Sequence, residues 1–241
     1  MAEINIAHKL RVNLDDFVKG LRSTYGEELI SVVLYGSAAS GEFVSVHSNL
    51  NVLVILKNTD LENLKKASGL INRWRFRFIQ PLFFNAEYIH ESNDVFPIEF
   101  LDMKENYAVL FGKDILKDIS IDIKNLRFQC EQELKAKLIS LRKFYLKNRD
   151  KSVLTSFLFK TFTSVLHILR NVLRLKGRQT PYLKQDILKE AALGLDIDKV
   201  VWEKILAAKN KQVRLKGKEA EQLFINFVKE VEKITDVVDK F

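Results

Sequence analysis

A chain of 241 residues with 47% hydrophobic and 29% charged side chains, nine Gly and three Pro has the balance of a folded, helix-rich protein, which excludes a disordered one. Its longest apolar runs, such as VLVIL at 52–56, fall short of the roughly 20 residues that span a bilayer. The first residues also lack the basic-then-apolar order of a signal peptide, so a cytoplasmic protein with no membrane partner is expected.

The net charge of +8 is unevenly placed. Residues 1–122 carry 13 Lys and Arg against 17 Asp and Glu, a net −4, and residues 123–241 carry 26 against 14, a net +12. A positive field on the second half favours an anionic partner such as a nucleotide, RNA or an acidic protein surface; a solvated lysine-rich surface is the plainer reading. The lone Cys130 permits no internal disulfide or thiolate metal cage, and its apolar neighbours at helical spacing place it in a core.

Taken in order, NLDDFVKGLRSTY at 13–25 predicts an amphipathic helix capped by Asn13, with Leu14, Phe17, Val18 and Leu21 on one face. LISVVLYG at 29–36 and LNVLVIL at 50–56 read as buried strands. Residues 60–74 return to a helical pattern capped by Asp60, with Leu61, Leu64 and Ile71 on one side. IQPLFFNAEYI at 79–89 reads as a strand, and Pro81 marks it as an edge or a strand start. The stretch 95–116 mixes apolar and acidic positions and turns at Gly112.

From about residue 123 the pattern is helical throughout. Leu126, Cys130, Leu134, Leu138 and Leu141 recur at three- and four-residue steps, which predicts a long helix over 125–148. A more uniformly apolar helix over 152–176 suits the centre of a bundle, and Gly177 and Pro181 end it in the expected order. Two or three shorter helices follow, including 218–240. The residues alone therefore give an α/β domain over 1–122 followed by an all-helical domain over 123–241.

The candidate site lies in LYGSAASGEFVSVHSNLNVLVIL at 34–56. A Gly-Ser pair between a strand and a helix suits phosphate: Gly36 lets the backbone approach closely and Ser37 offers a hydroxyl. An ordinary tight turn reads the same way. The spacing adds information, because Gly36-Ser37, Ser40-Gly41 and then SNLNVLVIL together resemble the nucleotidyltransferase superfamily, the group that shares a fold with polymerase beta and kanamycin nucleotidyltransferase. FPIEFLDMKENYAVLFGKDIL and ILRNVLRLKGRQTP resemble bacterial members with a C-terminal helical domain.

The resemblance implies an α+β fold, with a mixed sheet and flanking helices followed by an all-α helical bundle. It also implies in-line attack on an α-phosphate with Mg²⁺ held by carboxylates. Here the pattern departs, since the two metal-binding acids fall on Asn49 and Asn51, with His47 before them on the same strand face. A third carboxylate is expected on a later strand; PLFF at 81–84 has none, and Glu87, Glu99 and Asp102 are the candidate acids. An amide oxygen is a weaker ligand for Mg²⁺ than a carboxylate.

The expectation is a nucleotidyltransferase-fold protein that binds a nucleoside triphosphate between its two domains, with weak or lost Mg²⁺-dependent transfer. Mg²⁺ is needed only if catalysis is retained. Gly36 and Ser37 would hold phosphate, and Arg170 and Arg174, one helical turn apart, would be counter-charges or part of a surface stripe. The alternatives are an active transferase using the other acids, and a non-enzymatic module in which the basic helical domain binds RNA or an acidic protein.

Other features carry blander readings. RWRFRF at 73–78 is a basic strip or, preferably, a helix end passing into a strand, and the run Lys209, Lys211, Arg214, Lys216 and Lys218 is a solvated surface. His167 is expected as a satisfied core histidine, and no Cys/His spacing suits zinc.

Overall fold

The computed structural model describes residues 7–40, 49–74, 79–148, 150–215 and 217–241. The chain divides into two units, Met1–Asp122 and Ile123–Phe241. Within the first, strands β1 (Leu29–Tyr35), β2 (Leu50–Leu56), β3 (Ile79–Asn85) and β4 (Tyr107–Gly112) form one sheet in the order β3-β2-β1-β4. β1 runs antiparallel to both β2 and β4, and β2 runs parallel to β3. The sheet is therefore mixed.

The β-branched runs become the central strands because both of their faces are covered. Val32, Val33 and Leu34 of β1 and Val52 through Leu56 of β2 are fully buried. One face, with Val32, Leu34, Val52 and Val54, packs with Leu14, Phe17 and Leu21 of α1 (His8–Tyr25) and Trp74 of α4 (Ser68–Trp74). The other, with Val33, Leu53 and Ile55, packs with Ile89 of α5 (Ala86–Ser92) and Phe100 and Met103 of α6 (Pro97–Glu105). Period-two alternation sorts the side chains between the two cores.

Several local expectations need correction. Asn13 does not cap α1: the helix begins at His8 after Ala7, and Asn13 lies inside it, turned to the buried side next to Leu14. The helix over 60–74 is two helices, α3 (Leu61–Lys65) and α4. Asp60 does cap α3, accepting the Asn63 N–H at 2.7 Å. The Asn63 side chain donates to the Asn58 carbonyl at 2.7 Å, and this polar knot turns Asn63 inward and leaves Leu61 84% exposed. Residues 86–89 are helix and not strand, because Asn85 Oδ1 accepts the Tyr88 N–H at 2.7 Å and starts α5.

β3 is an edge strand, as Pro81 indicates. Gly112 has φ +79, and a Cβ there would lie 2.0 Å from the Ile30 carbonyl oxygen, so only glycine fits where β4 leaves the sheet.

The second unit contains α7 (Ile123–Lys147), α8 (Lys151–Leu175), α9 (Lys184–Gly194), α10 (Lys199–Lys209) and α11 (Gly217–Val238). The stripe Leu126, Cys130, Leu134, Leu138 and Leu141 is buried. α8 is the central helix, packed against α7, α9, α10 and α11. It starts at Asp150, whose carboxylate accepts the Ser152 and Val153 N–H groups at 2.8 and 3.1 Å. It ends in a Schellman motif: Arg178 N–H donates to Leu173 O at 3.0 Å, Gly177 N–H to Arg174 O at 2.9 Å, and Gly177 has φ +65.

By length and composition α8 alone among the described residues would suffice to cross a membrane, which the reading of short runs did not anticipate. In this unit its Leu158, Phe162, Val165, Leu169 and Val172 are buried against the other helices. His167 is exposed and not a core histidine, because it shares the outward face of α8 with Lys160 and Thr163. Trp202, Phe162 and Phe227 form an aromatic cluster with ring centroids 5.3–6.1 Å apart. Beside it, buried Glu230 accepts the Asp198 N–H at 2.6 Å and the Trp202 indole N–H at 3.2 Å.

Candidate functional site

β1 leaves the sheet through Gly36, which is buried and has φ +78. That conformation is the reason for glycine here. The Gly36 N–H donates to the Asn106 carbonyl at 2.9 Å, and its own carbonyl accepts the Ala39 and Ser40 N–H groups at 2.9 and 3.1 Å. These bonds close the single turn α2 (Ser37–Ser40). Ser37 is half-buried at its start.

The beginning of β2 lies beside this turn. Tyr35 pairs with Asn51 in the β1–β2 ladder, and a Cβ built on Gly36 would lie 3.3 Å from Asn51 Nδ2. The Asn51 amide therefore rests against Gly36. Across the parallel pair Asn51 is the partner of Gln80, and across the other edge of β1 Tyr35 is the partner of Tyr107. Gln80, Asn51, Tyr35 and Tyr107 thus make one row across all four strands, on the face that carries Leu53 and Leu82 toward α5 and α6. Asn49 is exposed and lies one residue ahead of β2, outside the strand. His47 and Gly41 fall outside the described residues.

The candidate acids separate by position. Of the three, Asp102, half-buried on α6, is the one felt at the row: burial first, then the Asp102 charge, raises the Tyr35 pKa above its ordinary value of 10.0. Glu99 lies one turn earlier on α6 and is exposed. Glu87 is in the first turn of α5, beyond the C-terminal end of β3, whereas Gln80 is near its N-terminal end. At the rise of an extended strand the two are roughly 20 Å apart along the chain path.

Gln80 is the residue that sequence reasoning missed. The run PLFF invites an alignment on itself, but the parallel register sets Gln80 next to Asn51, so the side chain beside Asn51 on β3 is a second amide. Among the described residues no group of three His, Cys, Asp or Glu is placed to hold a metal ion. Mg²⁺ holds to one or two carboxylates plus phosphate oxygens, and a row of neutral amides does not fit it.

Arg170 and Arg174 belong to the second unit. Arg170 is 3% exposed and so is not part of a surface stripe. Its Nε–H donates to the Thr180 and Pro181 carbonyls, both at 3.0 Å, and its guanidinium lies 4.1 Å above the Tyr182 ring. Arg174 donates to the Asn171 side-chain oxygen. Of the basic run, Lys209 is drawn inward to the Phe159 carbonyl at 3.1 Å; burial, then the charge of Lys184, lowers its pKa. Lys211 and Arg214 are exposed along a groove of about 480 Å³ with Phe159, Val213 and Leu215, and Lys216 is outside the described residues. In RWRFRF, Trp74 ends α4 and packs edge-on against Phe17 at 6.4 Å, Arg73 is exposed, and residues 75–78 are outside the described set.

No protein-family model and no curated protein matches the chain. Among solved structures it is similar to the spectinomycin adenyltransferase AAD(9) from Enterococcus faecialis, determined with ATP and spectinomycin. The TM-score is 0.62 at 14% identity, over 92% of this chain and 99% of that one. At this identity the likeness establishes the fold: the chain has a nucleotidyltransferase-like α+β unit built on a mixed sheet, followed by a helical unit.

Proposed function

We propose that this nucleotidyltransferase-fold protein binds a nucleoside triphosphate at the Gly36–Ser37 turn and the adjoining Asn51 amide, with Mg²⁺-dependent nucleotidyl transfer lost or severely weakened. The observation that carries the reading is the contact of Asn51 with Gly36 in a row that continues to Gln80. The turn keeps the shape that suits phosphate. The positions where metal-assisted phosphoryl chemistry needs carboxylates hold amides.

The solved neighbour was determined with ATP, which supports a nucleotide as the ligand class. Transfer requires neutralisation of charge building on the α-phosphate and the leaving pyrophosphate. A loss of about 4 kcal/mol of that stabilisation slows the reaction roughly a thousand-fold. Two amide positions in place of acids make such a loss the expected outcome.

Calorimetric titration with ATP and GTP, on this protein and on Ser37→Ala, tests the binding. Weaker binding by the variant supports the phosphate role of Ser37; no binding of either nucleotide to the parent protein removes the proposal. A second reading rests on Asp102, whose charge reaches Tyr35 beside Asn51. In that reading the site still transfers nucleotide using this acid. Incorporation of labelled nucleotide that disappears in Asp102→Asn would establish it in place of the first.

A further inference from the structure

We infer that the amide row Asn51–Gln80 binds the metal-free polyphosphate directly, so that Mg²⁺ weakens binding where the fold's usual carboxylates would need it. This inference rests on the nucleotide reading of the same site and names the form of ligand it takes.

The atom of Asn51 that faces Gly36 is Nδ2, at 3.3 Å from where a Cβ would stand. The end of the amide therefore reaches the phosphate turn, where it can present its N–H donors. Gln80 stands next to Asn51 on the same face and is exposed, so a second amide is within reach of solvent and ligand. Each such amide carries two N–H donors.

Carboxylates at these places would repel phosphate oxygens and would need a cation between them. Amide N–H groups meet the same oxygens without one, and a hydrogen bond to an ionised acceptor is shorter and stronger than one between neutral groups. A Mg²⁺ ion already chelated by the polyphosphate works against this arrangement. It occupies the oxygens that the donors would take, and it turns positive charge toward the positive ends of the N–H dipoles. The carboxylates felt along the row act at its tyrosines, Asp102 at Tyr35 and Asp114 at Tyr107, on the β1 side of Asn51 and away from Gln80.

The test is calorimetry on the full chain with ATP and, as a base-free probe, tripolyphosphate, each in EDTA and in Mg²⁺ exceeding the ligand. The expected result is binding in EDTA that weakens by about tenfold or more in Mg²⁺, the scale of one modest charge mismatch. Asn51→Asp should reverse the order, binding in Mg²⁺ and losing affinity in EDTA, and Gln80→Glu should move the same way. Circular dichroism establishes that each variant is folded, and the two titrations of the unmodified chain decide the question without the variants. ATP binding that is equal or tighter in Mg²⁺ overturns this inference and leaves nucleotide binding in place. Absence of binding by ATP, GTP and tripolyphosphate in both buffers overturns both.

Discussion

Tyr35 and Tyr107 are partners across the β1–β4 ladder, and each phenol stands near an aspartate. Tyr107 donates to Asp114 at 3.0 Å, and Tyr35 lies within the field of Asp102. Burial first, then these carboxylates, raises both pKa values above 10.0. A raised folded-state value means that the folded protein holds its proton more tightly than the unfolded one. The resulting stability is complete below about pH 10 and is lost as the pH rises through the folded values. Phenolate absorbance against pH, compared between the parent, Tyr35→Phe and Asp102→Asn, measures it. The Asp102 change should lower the Tyr35 midpoint without removing the part due to burial, and titration of Tyr35 at its ordinary value would refute the placement.

Gly36 and Gly112 both have φ near +80°, yet their alanine variants should differ. At Gly112 the new Cβ meets the Ile30 carbonyl oxygen, a backbone atom, at 2.0 Å. The cost is about 2–4 kcal/mol, since the β1–β4 pair must open to admit it. At Gly36 it meets the end of the Asn51 side chain at 3.3 Å, which swings aside, so only the backbone term of about 1–2 kcal/mol remains. Urea unfolding ranks the two. Gly36→Ala should also lose nucleotide affinity, because the displaced amide is part of the site.

Glu230 joins α11 to the start of α10 through the Asp198 N–H and the Trp202 indole, and pairs within α11 with Lys233 at 2.8 Å. Glu230→Ala leaves the buried Trp202 indole N–H and the part-buried Asp198 N–H without their acceptor and should cost about 2–3 kcal/mol. Glu230→Gln keeps an acceptor oxygen and should cost less, about 1–2 kcal/mol. Denaturation followed by Trp202 fluorescence separates them; equal losses would mean that the carboxylate's packing, and not its acceptor oxygen, matters.

The Arg170 fork fixes the segment after α8 by holding the Thr180 and Pro181 carbonyls and stacking on Tyr182. Lys at this position has no Nε–H fork and no planar face. Arg170→Lys should destabilise the protein by about 2 kcal/mol and open residues 177–183 to limited proteolysis. An unchanged cleavage pattern would show that the segment is held by other means.

Restoring acids at the two family positions gives a further check. Asn49→Asp with Asn51→Asp should raise Mg²⁺ affinity if these residues stand at the old metal positions. An unchanged metal titration in a well-folded double variant would count against that assignment.

Strands β1 and β2 were legible to the residue or nearly so, because unbroken β-branched runs buried on both faces leave few alternatives. The stripe of α7 and the end of α8 were legible for the same reason, as strong periodicity followed by Gly177. Caps were harder. Asn13 has the chemistry of a cap but sits inside α1, whereas Asn85, hidden in an apolar run, performs that function. Leu61, expected on the apolar side, is exposed and Asn63 is buried, because a three-residue polar knot, and not hydrophobicity, sets the rotation of the first turn of α3. Within the site, the Gly36–Ser37 turn and Asn51 could be read from spacing. Gln80 could not, since a parallel register depends on a partner strand and leaves no trace in the run itself. Arg170 looked like a free charge because sequence shows the cation and not the carbonyls that surround it.

The position of β4 also sets an order of events during synthesis. β1 is central and needs β4 on its outer edge, so the sheet cannot close until Gly112 has been made. Nothing beyond that residue contributes a strand to the described sheet. At about 5–20 residues per second, Ile123–Phe241 takes a further 6–24 s or so to synthesise, long compared with the folding time of an ordinary mixed domain. Once the first unit has cleared the ribosome, its sheet should therefore hold the amide row in register before the helices of the second unit have packed together.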